Sequence, residues 1–206
     1  MNILCHRGYW TDPREKNSWQ SLVHALERGF GIETDVRDLD GQLVVSHDPP
    51  RSGSVLLLED LLAFYANLSH DPMLALNIKA DGLHKELERL LDAHGIWNFF
   101  AFDMSIPDTL GFRRNKMPFA VRLSEFEVEN ALYHDAPWVW LDAFESEWFT
   151  EAAIAKLHAD RKSVAIVSPE LHGRPHRKFW ESLKEFAGSD RLYLCTDYLD
   201  EAMEFF

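Results

Sequence analysis

In Gly31-Ile32-Glu33-Thr34-Asp35-Val36 the β-branched residues Ile32, Thr34 and Val36 alternate with Glu33 and Asp35. Residues two apart on a strand share a face, so this period sets both carboxylates side by side. The link that follows, Asp38-Leu39-Asp40-Gly41-Gln42, is rich in turn formers and too short for a helix. Leu43-Val44-Val45-Ser46 therefore reads as a short extra strand attached to the same unit.

On either side of this unit, short apolar runs alternate with longer amphipathic ones. The short runs are Ile3–Cys5, Gly31–Val36, Met73–Ile78, Phe99–Phe102, Phe119–Val121, Trp138–Leu141, Val164–Val167 and Leu192–Cys195. Helical spacing marks Ser18–Arg28, Leu56–Asn67, Leu83–His94, Ile106–Arg114, Glu125–His134, Phe149–Asp160, Arg177–Phe186 and Asp200–Phe205. Strand–helix alternation implies a parallel sheet with helical crossovers. Eight such units predict an α/β fold, a compact (β/α)8 TIM barrel with the short extra strand after strand 2. The rival, an open doubly wound sheet, more naturally uses five or six strands. With 206 residues and no linker-like run, the chain reads as a single domain over 1–206 with short loops. Its longest loop candidate is His47 to Ser54.

The balance of charge narrows the partners. A net charge of −13 repels nucleic acid and anionic membrane, so a phosphate-bearing ligand must meet a local basic patch or a metal. No apolar run is long enough for a membrane span, and no signal peptide is visible, so a cytoplasmic protein is expected. Cys5 and Cys195 fall on the first and eighth strands, which closure makes neighbours. With His6 facing the mouth, Cys5 turns outward, and two unlinked buried thiols are expected.

Chemically capable residues end strand after strand: His6 and Arg7, Glu33 and Asp35, Asn77 and Lys79, Asp103, Arg122, Asp142, Ser168 and Glu170, Thr196 and Asp197. That is the face of a barrel where active sites are built. Asp103, Asp142 and Asp197 read equally well as helix caps. Glu33 and Asp35 at a buried mouth need compensation, and a divalent cation supplies it. His6 and His47 suit acid and base work near neutral pH, and Arg7 and Lys79 suit phosphate oxygens. Together they point to phosphoryl transfer or hydrolysis. The stretch Ser168 to Arg174 reads as either a substrate loop or a solvated turn.

The order His6-Arg7-Gly8, Asn17-Ser18, Ile32-Glu33-Thr34-Asp35-Val36-Arg37, Asp40-Gly41, Val44-Val45-Ser46-His47-Asp48, Leu76-Asn77-Ile78-Lys79 and Thr196-Asp197 resembles the glycerophosphodiester phosphodiesterase family. The resemblance is close over the first half, fades after Lys79 and returns at Thr196-Asp197. It implies a (β/α)8 barrel and a hydrolase of phosphodiesters that carry a free alcohol beside the phosphate. His6 and His47 are then the acid/base pair and Glu33, Asp35 and Asn77 hold the metal, Mg²⁺ or Ca²⁺. Arg7 and Lys79 are phosphate ligands; Arg122 and Glu170, at later strand ends that diverge from the family's pattern, are read from the residues as further substrate contacts. The expected partner is a small-molecule or polymer-end phosphodiester.

Three departures stand out. Lys16 occupies a position where the family has Glu, and Asn77 stands for its third acidic ligand, so Glu170 is a candidate to complete the shell. The insertion that overhangs the family's mouth is almost absent between His47 and Met73, which predicts an open site. A barrel that binds without turnover and a phospholipase C-like lyase that releases the cyclic phosphate remain alternatives to hydrolysis.

Overall fold

The computed structural model describes residues 1–51 and 55–206. The end of the loop expected at His47 to Ser54 therefore lies outside the described residues. In chain order the elements are β1 (Asn2–His6), α1 (Trp19–Glu27), β2 (Gly31–Leu39), β3 (Gln42–Val45), β4 (Leu56–Leu57) and α2 (Leu58–Tyr65). Then come β5 (Leu74–Ile78), α3 (His84–His94), β6 (Phe99–Phe102), α4 (Ile106–Arg114), β7 (Ala120–Leu123) and β8 (Trp138–Leu141). The chain closes with α5 (Glu151–Ala159), β9 (Ser163–Val167), α6 (Arg177–Leu183), β10 (Leu192–Thr196) and α7 (Leu199–Phe205).

β1, β2, β5 and β6 pair in parallel, as do β7, β8, β9, β10 and β1. The ring is completed between β6 and β7 by one parallel bridge, Ala101 to Phe119, where the Ala101 N–H donates to the Pro118 carbonyl at 3.0 Å. The fold is the (β/α)8 barrel, and the open doubly wound alternative is excluded by this join. The extra strand is present as β3, antiparallel to β2, and β4 continues it.

Alternation along each strand separates two apolar layers. Ile3, Cys5, Ile32, Leu74, Ala101, Val139 and Ile166 pack outward against the helices, while Leu4, Ala75, Phe100, Ala120, Trp138, Ala165 and Cys195 fill the barrel. Inside, Ala75, Ala120 and Ala165 on alternate strands leave room for the large rings between them. Phe100 stacks on Trp138 at 4.3 Å and Phe102 on Trp140 at 3.9 Å, a floor beneath the mouth. Gly31 belongs to this packing, since a Cβ there would come within 2.8 Å of Leu4 Cδ2 and 2.9 Å of the Met73 carbonyl. Cys5 lies in the outer layer, as the alternation predicts, and Cys195 in the inner one; both are buried and free, as expected. Among the described residues no helix is long and apolar enough to cross a membrane.

The helix expected over Glu125–His134 does not form; turns occupy the connection from β7 to β8. Its polar side chains capture backbone instead of leaving it to a helix. Ser124 and Glu127 exchange backbone hydrogen bonds in a tight turn, and Asn130 accepts from the Leu132 N–H. Glu125 accepts the N–H groups of Phe144, Glu145 and Ser146 across the rim. Lys162, almost fully buried, donates to the carbonyls of Tyr133 at 2.6 Å and Ala136 at 2.7 Å and thereby pins the far end of the segment.

Candidate active site

β1 delivers His6 to the C-terminal mouth and then reverses sharply. Arg7 and Gly8 both adopt positive φ, 58° and 94°. Gly8 is required there, because a Cβ would lie 2.6 Å from the Ser21 carbonyl carbon. The left-handed Arg7 costs about 1–2 kcal/mol. Its backbone N–H donates to Glu33 and its carbonyl accepts from Asn17, both at 2.9 Å, which locks the turn to β2 and to the following loop.

Asp35 is fully buried, and cations surround it. Arg7 Nε lies 2.9 Å from Oδ2, and Lys79 Nζ lies 3.4 Å from Oδ1. Asn17 donates its amide to Oδ2 at 2.8 Å while accepting from Thr34. One turn residue, itself at positive φ, thus holds β2 from the side. Glu33, two residues earlier on the same face, accepts from the Asn77 amide at 3.2 Å and lies 3.9 Å from His6 Nε2. Burial pushes the Glu33 carboxyl above its usual range, and the Asp35 charge adds to this; His6, Arg7 and Asn77 oppose it.

Glu33 Oε2, Asp35 Oδ1 and Asn77 Oδ1 are buried oxygens without a hydrogen-bond donor. Asp35 and Asn77 are register partners on β2 and β5. Two carboxylates and an amide oxygen are hard donors that suit Mg²⁺ or Ca²⁺, so the residues fit a divalent cation. Among the described residues no three His, Cys, Asp or Glu cluster for a metal.

The other expected residues are distributed unevenly. His47 is about half exposed at the rim, with Nδ1 on Asp48 at 2.8 Å and its carbonyl accepting from Arg37. Arg122 reaches the mouth and pairs with Asp103, which lies 3.9 Å from Lys79. Beside that pair a cavity of about 470 Å³ opens between α4 and the β7–β8 connection. Glu170, expected to contact substrate or complete a metal shell, turns its carboxylate onto the protein's own donors. Its carboxylate accepts from Thr196 Oγ1 at 2.5 Å, from the Asp197 N–H at 3.2 Å and from Ser168 Oγ, and is spent inside the protein.

The residues that could equally have been caps are not caps. The N-cap positions of α4, α5 and α7 are held by Ser105, Thr150 and Tyr198, of which only the Ser105 side chain accepts a backbone N–H. Asp103 pairs with Arg122, and Asp142 Oδ1 lies in hydrogen-bond contact with His172 Nε2 at 2.7 Å. Asp197 is the site residue that sequence reasoning left unassigned: Oδ1 meets His6 Nδ1 at 2.6 Å and Oδ2 accepts from Lys16 Nζ at 2.9 Å. Burial alone would raise the Asp197 carboxyl, but His6 and Lys16 outweigh it and hold it low. The signal available was the pairing of an unexpected base, Lys16, with an acid at the last strand end.

No protein-family model matches the chain, and no curated protein matches it. Solved structures do. A Galdieria sulphuraria chain assigned as a glycerophosphodiester phosphodiesterase is 17% identical with a TM-score of 0.79, over 99% of this chain and 96% of its own. An Oleispira antarctica phosphodiesterase, in complex with the product sn-glycerol-3-phosphate, is 16% identical with a TM-score of 0.70, over 100% and 96%. A Ca²⁺-dependent phosphatidylinositol-specific phospholipase C from Streptomyces antibioticus is 13% identical with a TM-score of 0.62, over 99% and 95%. By its closed ring and these likenesses, the chain has the barrel fold of the glycerophosphodiester phosphodiesterases.

Proposed function

We propose that the protein is a member of the glycerophosphodiester phosphodiesterase family and a metal-dependent phosphoric diester hydrolase. Its substrate is a small-molecule or polymer-end phosphodiester with a free hydroxyl beside the phosphate. The observation that carries the reading is the contact of His6, Glu33, Asp35, Asn77, Arg7 and Lys79 at one side of the mouth, in the order that the family's motifs follow. Glu33, Asp35 and Asn77 would hold a divalent cation, whose chemistry there would be neutralisation of the phosphate's charge. Arg7 and Lys79, now turned onto Asp35, supply guanidinium and ammonium donors for the phosphate oxygens.

In the first step one of His6 and His47 takes the proton of the neighbouring hydroxyl as its oxygen bonds to phosphorus, and the other protonates the departing alcohol. The product is a cyclic phosphate. In the second step water opens the ring and the two proton roles are exchanged. Arg122, at the edge of the 470 Å³ cavity, contacts the departing alcohol. The protein works in the cytoplasm in this reading.

The test is incubation of the purified protein with a glycerophosphodiester and a divalent salt, followed by ³¹P NMR. A phosphomonoester product is expected. A cyclic diester as sole product replaces the hydrolase with a lyase, the chemistry that the likeness to a phospholipase C would favour. An unchanged diester leaves a binding barrel.

A further inference from the structure

Imidazole has two nitrogens, and which one carries the proton is set by what the other side of the ring meets. The His6 Nδ1 faces a carboxylate oxygen at 2.6 Å, and an ionised carboxylate only accepts. Nε2 points the other way, toward Glu33 Oε2 at 3.9 Å, in the pocket where the buried donor-free oxygens lie. A lone Asp at a strand end could turn about its χ angles and release the ring. Here both of its carboxylate oxygens and its backbone N–H are tied.

The second oxygen of Asp197 accepts from Lys16 at 2.9 Å. Its backbone N–H donates to Glu170, which also takes the hydroxyl of Thr196. Lys16 is itself located: its ammonium lies 4.5 Å from the Trp10 ring, and Trp10 Nε1 donates to the His6 carbonyl at 3.0 Å. The loop from Trp10 to Lys16 thus returns to the residue it started from. The capping box between Asp12 and Glu15 stiffens its middle.

We propose that Asp197, clamped by Lys16 and Glu170, is a positioning residue that fixes His6 in one orientation and one tautomer, with Nδ1 protonated and Nε2 bare toward the carboxylate pocket. The inference rests on the reading of His6 as a proton-transfer group for its catalytic meaning, but its geometry is testable without substrate. Lys16 acts through Asp197, and Asp197 through His6; neither touches the reacting atoms. If the cluster were only a pair of ion pairs joining β10 to the loop after β1, its loss would change stability and leave the ring's tautomer alone.

The experiment is long-range ¹H–¹⁵N NMR of the full-length protein labelled at histidine, at a pH where the ring is neutral. The wild type should show His6 as the Nδ1–H tautomer. Asp197→Asn, whose amide can donate to Nδ1, should move His6 to Nε2–H and lower kcat about a hundredfold with KM little changed. Lys16→Met should leave a mixed tautomer, and Lys16→Arg should restore the single one. A wild-type ring in the Nε2–H form overturns the proposal whatever the variants do. A tautomer untouched by both Asp197→Asn and Lys16→Met overturns it also. If the tautomers behave as stated while His6→Ala keeps full turnover, the positioning stands and the assignment of His6 to catalysis fails.

Discussion

The two walls of the barrel mouth are built differently. On the wall made by β1, β2 and β5, His6, Glu33, Asp35 and Asn77 stand on neighbouring strands in register, and Arg7 and Lys79 close over Asp35. On the wall made by β6, β7 and β8, one bridge joins β6 to β7 and no helix separates β7 from β8. There Glu125 and Lys162 hold the backbone, and Phe126 and Val128 stand 67% and 83% exposed where a helix would have buried them. The first wall concentrates unsatisfied charge and oxygen, which is a reservoir for chemistry. The second satisfies its polar groups internally and supports shape. Metal binding and proton transfer should therefore depend on the first wall, and stability more on the second.

The largest effect expected is from the metal. EDTA should abolish turnover, and Mg²⁺ or Ca²⁺ should restore it, since Glu33 Oε2, Asp35 Oδ1 and Asn77 Oδ1 are buried together at the mouth with no hydrogen bond. Full activity in metal-free buffer would leave the first wall without that role. Next, His6→Ala should lower kcat by at least about a hundredfold, the scale of a lost acid or base. The same loss is expected for His47→Ala, although His47 stands apart at the rim. An active His47→Ala enzyme would assign the second proton to another group.

The second wall is read by stability. Lys162→Met removes the donor from the Tyr133 and Ala136 carbonyls and should cost about 2–3 kcal/mol. For a chain of this size that is roughly 5–10 °C in Tm, measured by calorimetry. An unchanged Tm would mean that water takes over both carbonyls. The smallest effect concerns Glu125. Burial opposes its ionisation, but the three backbone N–H groups hold its pKa at about 2. A carboxylate depressed on folding stabilises fully above its unfolded pKa of about 4.3 and loses that contribution as pH falls toward 2. After allowance for solvent, Glu125→Gln should cost about 1 kcal/mol at neutral pH, and the gap to wild type should vanish near pH 2. A gap independent of pH would place the Glu125 effect in packing rather than charge.

The same division runs through what could be read in advance. Nine of the ten described strands, seven of the helices and the line of polar residues at strand ends follow from short-range periodicity; β4, at Leu56–Leu57, reads in the sequence as the start of a helix. A spacing of two is a local property of extended chain, and for this reason Glu33 and Asp35 were legible as a pair. The Glu125–His134 stretch was misread because its apolar residues fall near helical spacing, and periodicity does not register side chains that compete for backbone groups. Asp103, Asp142 and Asp197 looked like caps because a strand-end acid before a helix has two uses, and only its partner decides between them.

By itself the sequence determined that strands alternate with helices, that carboxylates and bases collect at one end of them, and that Cys5 turns outward. Tertiary structure alone decided which of those groups meet. Asp197 and His6 are separated by 191 positions and Lys16 and Asp197 by 181, yet each pair is in hydrogen-bond contact. Such contacts depend on the angle through which eight strands close on themselves, and closure depends on the fit of Phe100, Trp138 and the small residues between them. No local spacing carries that sum over the whole ring.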